Sequence, residues 1–62
     1  MSDRRTLATP EEIAAYLQKP VRTLERWRQH GIGPRYSRVG RGVRYRWSDV
    51  EKWLDEQAKA AA

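Results

Sequence analysis

Arg22, Glu25, Arg26 and Gln29 fall at positions i, i+3, i+4 and i+7 of one stretch of the chain. On a helix that spacing places all four on one face. Their shared chemistry is directional hydrogen bonding. Arg presents a planar fork of donors, Gln a donor group beside an acceptor, and ionised Glu acceptors only. These are the groups that read base-pair edges: Arg bonds guanine bidentately, Gln bonds adenine, and Glu accepts from cytosine. Each good bidentate pair contributes about 1–3 kcal/mol of discrimination. A solvated face in which Glu25 merely offsets its arginine neighbours would use the same residues.

A second set surrounds Gly40-Arg41-Gly42. Arg38, Arg41 and Arg44 recur every third residue across this glycine-flanked turn. Arginines projecting from such a tip suit phosphate contacts, which position a protein on a duplex without reading its sequence. Charges that guard an edge strand against aggregation would account for one or two of them, and less well for three. Arg28 sits off the helical stripe and is assigned to phosphate with them. Arg35 and Arg46 are less defined. Thr23 suits a helix cap and a phosphate contact equally well.

The charge is distributed to match. Residues 19–47 hold nine basic side chains (Lys19, Arg22, Arg26, Arg28, Arg35, Arg38, Arg41, Arg44 and Arg46) against Glu25 alone, a local charge of +8. The rest of the chain has four basic and seven acidic residues, a charge of −3, which brings the total to +5. A surface made for solubility interleaves the signs. A one-signed cluster of arginines is the electrostatic footprint of nucleic-acid binding.

Several classes of function find no support. The 62 residues include no cysteine and a single histidine, His30. Neither a disulfide framework nor a thiolate metal site is available, and no metal or cofactor is expected. The carboxylates lie mainly where helix first turns would use them, so no catalytic residue is assigned and the chain is not expected to be an enzyme. Gly40-Arg41-Gly42 is too short for a phosphate-cradling loop. A domain of this size buries only about 60% of the surface its unfolded chain exposes, leaving little room to enclose a small-molecule ligand. No run approaches the roughly 20 apolar residues that cross a bilayer, and residues 1–5 lack the apolar stretch of a signal peptide. The expected location is the cytoplasm, on DNA, away from any membrane.

The elements that must hold the two sets can be read in order. Thr9-Pro10-Glu11-Glu12 is a capping box with Pro in the first helical position. It opens a helix whose Ile13, Ala14 and Leu17 form an apolar stripe flanked by Tyr16. That helix should end near Gln18, because Pro20 disfavours helical geometry at Lys19. Residues 1–7 form a polar lead-in, with Leu7 tucked onto the core. A second helix begins at Pro20 or Val21. Val21, Leu24 and Trp27 share its inner face, and His30-Gly31 is its stop signal. After Ile32-Gly33-Pro34, alternating residues predict a two-stranded hairpin turning at Gly40-Arg41-Gly42. Val43, Tyr45 and Trp47 should face inward, with Arg44 and Arg46 outward. Ser48-Asp49-Val50-Glu51 reads as another capping box, opening a last helix with Val50, Trp53, Leu54 and Gln57 on one stripe. The aromatic residues suit core packing better than stacking on single-stranded bases. The expectation is one domain over residues 1–62, ordered across about 6–57 and frayed beyond, with the order α-α-β-β-α. It is mainly α with a small β-hairpin, the plan of a winged helix-turn-helix.

The motifs in this order have a family likeness. The run from Thr9-Pro10-Glu11-Glu12 through Val21-Arg22-Thr23-Leu24-Glu25-Arg26-Trp27, the Gly31 stop, Val39-Gly40-Arg41-Gly42-Val43-Arg44-Tyr45, and Ser48-Asp49-Val50-Glu51-Lys52-Trp53-Leu54 resembles the excisionase-type, MerR-like winged-helix family. The resemblance implies a double-stranded DNA binder of phages or other mobile elements. Many such proteins are recombination directionality factors. They bind near an attachment site as adjacent copies, bend the DNA and direct an integrase toward excision. Others are small transcription regulators. The family's recognition-helix positions correspond to Arg22, Thr23, Glu25, Arg26 and Gln29, and its wing positions to Arg41 and Arg44. These 62 residues hold no long coiled coil or effector domain, unlike regulators of the MerR class, so a ligand-sensing dimer is not expected.

Two roles follow from this resemblance. An excisionase should fill direct repeats cooperatively, with an integrase and neighbouring copies as partners. An operator-binding regulator should take a lone or inverted site. An adaptor whose basic face meets an acidic protein is a third expectation, marked by the absence of salt-sensitive DNA binding.

Overall fold

The computed structural model describes residues 7–61. Most of the expected lead-in, and Ala62, lie outside them. Strand β1 (Leu7–Ala8) is followed by helices α1 (Pro10–Leu17) and α2 (Val21–His30), strands β2 (Ser37–Val39) and β3 (Gly42–Arg46), and helix α3 (Trp47–Ala61). The three strands form an antiparallel sheet in the order β1-β3-β2. Three helices with this small sheet make a winged helix-turn-helix.

Local chemistry sets the helix ends. At α1 the Glu12 N–H donates to Thr9 Oγ1 at 3.1 Å, and the Thr9 N–H donates to Glu12 Oε1 at 2.9 Å. The expected capping box is therefore complete, with Pro10 just inside it. Gln18 closes α1 in the left-handed conformation, φ 60°. The Gln18 N–H then donates to the Ala15 carbonyl and the Lys19 N–H to that of Ala14. Gly31 closes α2 in the same way at φ 71°. Only residues 18–20 separate the two helices. Arg28 lies in the last turn of α2, where its positive charge opposes the negative end of the helix dipole.

The core is small. Ala8, Ile13, Ala14, Leu24, Tyr45 and Val50 are buried, with Leu17, Val21, Trp27, Val43, Trp47 and Leu54 packed around them. The inner faces expected for all three helices are thus the ones used, apart from Gln57, which is exposed. Fully burying a side chain such as Leu24 or Ile13 contributes about 1.5–3 kcal/mol. The Trp27 and Trp53 rings meet at 5.3 Å, tying α2 to α3. The Tyr16 ring sets its edge against Trp47 at 5.2 Å and 88°, and its hydroxyl donates to Glu51.

Four expectations change. First, residues 7–8 are a strand and not only a lead-in. Leu7 stands opposite Arg46, and Ala8 opposite Tyr45. Directly opposed residues share a face, so the register sends Ala8 inward with Tyr45 and leaves Leu7 exposed at 44%. Secondly, α3 already begins at Trp47, so Ser48 lies inside the helix rather than capping it, and Trp47 is not part of the strand. Thirdly, α3 runs on to Ala61, beyond the expected limit near residue 57. Fourthly, the hairpin turn is shorter. Val39 pairs with Gly42, which leaves Gly40-Arg41 as a two-residue loop. Gly40 has φ 61°, the positive first position of a type II′ turn, whose twist matches the flanking strands.

Candidate nucleic-acid interface

Helix α2 presents one face to the core and the other to solvent. Leu24 is fully buried, and Val21 and Trp27 are half-buried on the same side. Arg22, Glu25, Arg26 and Gln29 are all exposed. Their i, i+3, i+4, i+7 spacing therefore becomes a real outward stripe on a helix anchored from behind. A B-DNA major groove about 12 Å wide admits such a helix. Thr23 is half-buried at the first turn, its N–H donating to the Pro20 carbonyl at 3.0 Å. Pro20 is the N-cap residue and makes no side-chain cap bond. No capping side chain and no acidic residue of the first turn therefore occupies the positive dipole end of α2, an arrangement that suits phosphate.

The wing divides its arginines between two sides. Arg38 stands opposite Val43, and Arg44 opposite Ser37. Val43 shares its face with buried Tyr45, two residues along the strand. Arg38 consequently lies on the face turned toward α2, where Glu25, Arg28, Gln29, Tyr36, Arg38 and Val43 line one groove. Arg44 is on the other face and curls back, its Nη1 donating to the Val43 carbonyl at 2.8 Å. The expectation that Arg38, Arg41 and Arg44 project together from the tip is corrected accordingly. Arg41 alone occupies the loop, exposed. The cause is strand geometry: a spacing of six residues that includes a two-residue loop places Arg38 and Arg44 on opposite sides of the pleat.

Arg28 also differs from the expectation of a freely projecting phosphate contact. It is half-buried, and its Nη1 donates to the Tyr45 hydroxyl at 2.9 Å. The guanidinium carbon lies 5.7 Å from the centre of the Tyr36 ring, within range of a cation–π contact. Tyr36 and Tyr45 are themselves neighbours, with ring centres 6.2 Å apart. Neither tyrosine stands out among the residues with recognition chemistry, yet both line the seam between α2 and the hairpin. Their shared parity with Arg38 and Val43 is the signal that marks them.

The remaining basic residues lie apart. Arg35 lines a cleft with Asp49, Lys52, Trp53 and Glu56. Arg46 is exposed on the outer face of β3, opposite Leu7, and His30 is exposed at the end of α2. Among the described residues, no group of three or more His, Cys, Asp or Glu side chains could hold a metal ion, and no helix is long and apolar enough to cross a membrane.

Among curated proteins, no sequence matches the chain. A family model described as a helix-turn-helix domain matches residues 9–58. That span starts at the Thr9 cap, takes in both helices of the turn and the whole wing, and ends within α3, so the chain belongs to the helix-turn-helix domain family, a DNA-binding family.

Proposed function

We propose that this chain binds double-stranded DNA at specific sequences, with α2 in the major groove and the β2–β3 hairpin as a wing on the adjoining backbone. The observation that carries this reading is the outward stripe of Arg22, Glu25, Arg26 and Gln29, whose Glu25 and Gln29 share a groove with Arg38 of the wing. Base recognition falls to the stripe. Thr23, Arg38 and Arg41 hold the backbone, and Arg44 joins them only by unfolding from Val43. The protein acts by binding and not by catalysis, and needs no cofactor.

On this reading its role is that of an excisionase. It binds beside a recombination site as neighbouring copies, bends the duplex and directs a phage integrase toward excision. The helix-turn-helix domain family includes excisionase-like proteins, and the order of motifs from Thr9 to Leu54 supports the same role. Selection from a random duplex library, followed by footprinting of the winners at two salt concentrations, tests both levels. Direct repeats about 10–10.5 bp apart, filled cooperatively, are the expected outcome. A lone or palindromic site would make the protein an operator-binding regulator. Enrichment of no duplex, without salt dependence, would overturn DNA binding itself.

A further inference from the structure

Arg28 is the one arginine of α2 that turns away from the outward stripe toward the hairpin. Its partners come from both sides of the wing. Tyr45 belongs to β3 and is 1% exposed. Tyr36 immediately precedes β2 and is 38% exposed. The guanidinium donates to the first and sits over the ring of the second. One side chain thus joins the recognition helix to the central strand and to the residue that leads into the edge strand.

We propose that Arg28 is a positioning residue, which locks the recognition helix to the wing through Tyr45 and Tyr36 and does not itself contact the duplex. This rests on the DNA-binding reading above. A protein that engages DNA with a helix and a hairpin at once must hold the two at a fixed angle and separation. Otherwise binding must order them, and that ordering costs affinity. The core holds β3 through Tyr45 and β1 pairs with it, but β2 is the edge strand and all three of its residues are exposed. The planar guanidinium supplies a hydrogen bond and a ring contact together, which the point charge of a lysine does not reproduce.

The proposal separates Arg28 from a phosphate contact in measurable ways. Arg28→Met, Arg28→Lys and Tyr45→Phe would each be titrated with the duplex selected by the wild-type chain, across several salt concentrations. Circular dichroism melts would check that each variant is folded. Each substitution should weaken binding about ten-fold, the scale of one lost hydrogen bond to a charged group. The salt dependence should remain that of the wild type, because no phosphate contact is lost. Combining Arg28→Met with Tyr45→Phe should be no worse than Arg28→Met alone. In an Arg38→Ala/Arg41→Ala background, where the wing no longer grips, Arg28→Met should have no further effect. In the free protein, residual dipolar couplings of α2 and the hairpin should fit one rigid frame for the wild type and two for Arg28→Met. Restored affinity in Arg28→Lys would overturn the proposal, as would a fall in the salt slope of about 0.9 in Arg28→Met; either marks a phosphate contact. A single frame retained in Arg28→Met would overturn it from the structural side. If the wild-type chain binds no duplex, the DNA-binding reading fails first and the proposal falls with it.

Discussion

Arg38 and Arg44 flank the same two-residue turn and lie on opposite faces of the hairpin. The pairing of Arg38 with Val43, and of Arg44 with Ser37, requires it. The two should therefore behave differently despite their equal charge. Arg38 shares a groove with Glu25 and Gln29, while the Arg44 guanidinium is occupied by the Val43 carbonyl. Arg38→Ala should weaken duplex binding and lower the salt slope by about 0.9, the share of one phosphate. Arg44→Ala should change the slope by much less. Fluorescence anisotropy titrations over a salt series measure both, and equal slopes for the two variants would contradict the division of the wing into two sides.

A second contrast separates reading from gripping. Arg26 lies at the centre of the exposed stripe of α2, and Arg41 at the exposed tip of the loop. Arg26→Ala should relax base preference at one position, costing about 1–3 kcal/mol against the preferred pair and little against the others. Arg41→Ala should weaken every sequence about equally. Affinities for a set of singly substituted duplexes distinguish the two patterns. If both substitutions leave affinity for every duplex unchanged, the interface lies elsewhere.

The two helix stops allow a matched stability test. Gln18 and Gly31 both adopt the left-handed conformation, at φ 60° and 71°. That conformation costs a residue with a Cβ about 1–2 kcal/mol, and glycine gives back part of the gain through its freer unfolded chain. Gln18→Gly should thus stabilise the protein by about 0.5–1 kcal/mol, or raise Tm by several degrees at the usual 4–8 °C per kcal/mol for a small domain. Gly31→Ala should cost about 1 kcal/mol, the left-handed penalty of a Cβ, all of it backbone, because a Cβ there meets nothing within 4 Å. Thermal melts of the two variants should move in opposite directions.

The parts of this fold that are legible in the sequence are those specified locally. Thr9 and Glu12 need only each other to cap α1, and Gly31 alone can end α2. The inner faces of the helices follow from spacing, because a helix carries its own periodicity. What escapes such reading depends on partners far along the chain. Strand β1 is two residues long and exists only because β3 pairs with it, so residues 7 and 8 alone favour burying Leu7 over Ala8. Ser48-Asp49-Val50-Glu51 has the form of a capping box, but the helix starts one residue before Ser48, and Tyr16 donates to Glu51 from 35 residues away. The site divides in the same way. The stripe from Arg22 to Gln29 is local and stands where its spacing puts it. The turning of Arg28 toward Tyr45, and of Arg44 away from Arg38, comes from register and contact across the wing.

Tyr16 makes a prediction about pH possible. Its hydroxyl donates to the Glu51 carboxylate, linking α1 to α3. That bond, with smaller contributions from desolvation and the negative charge of Glu51, raises the phenol above its ordinary pKa of 10.0. A raised value in the folded state means that folding favours the protonated hydroxyl. The resulting stabilisation is fully present below the ordinary value and is lost as pH rises through the raised one. Tyr16→Phe keeps the ring against Trp47 and removes only the hydroxyl. The wild-type chain should therefore be the more stable of the two at neutral pH, with the difference shrinking as the solution is made alkaline. Urea unfolding of both proteins across that range measures the difference, and tyrosinate absorbance should show the component titrating above 10.0 disappear in Tyr16→Phe. A stability difference that stays constant through the alkaline range would mean that the hydroxyl contributes through packing alone, and that its bond to Glu51 does not couple folding to the proton.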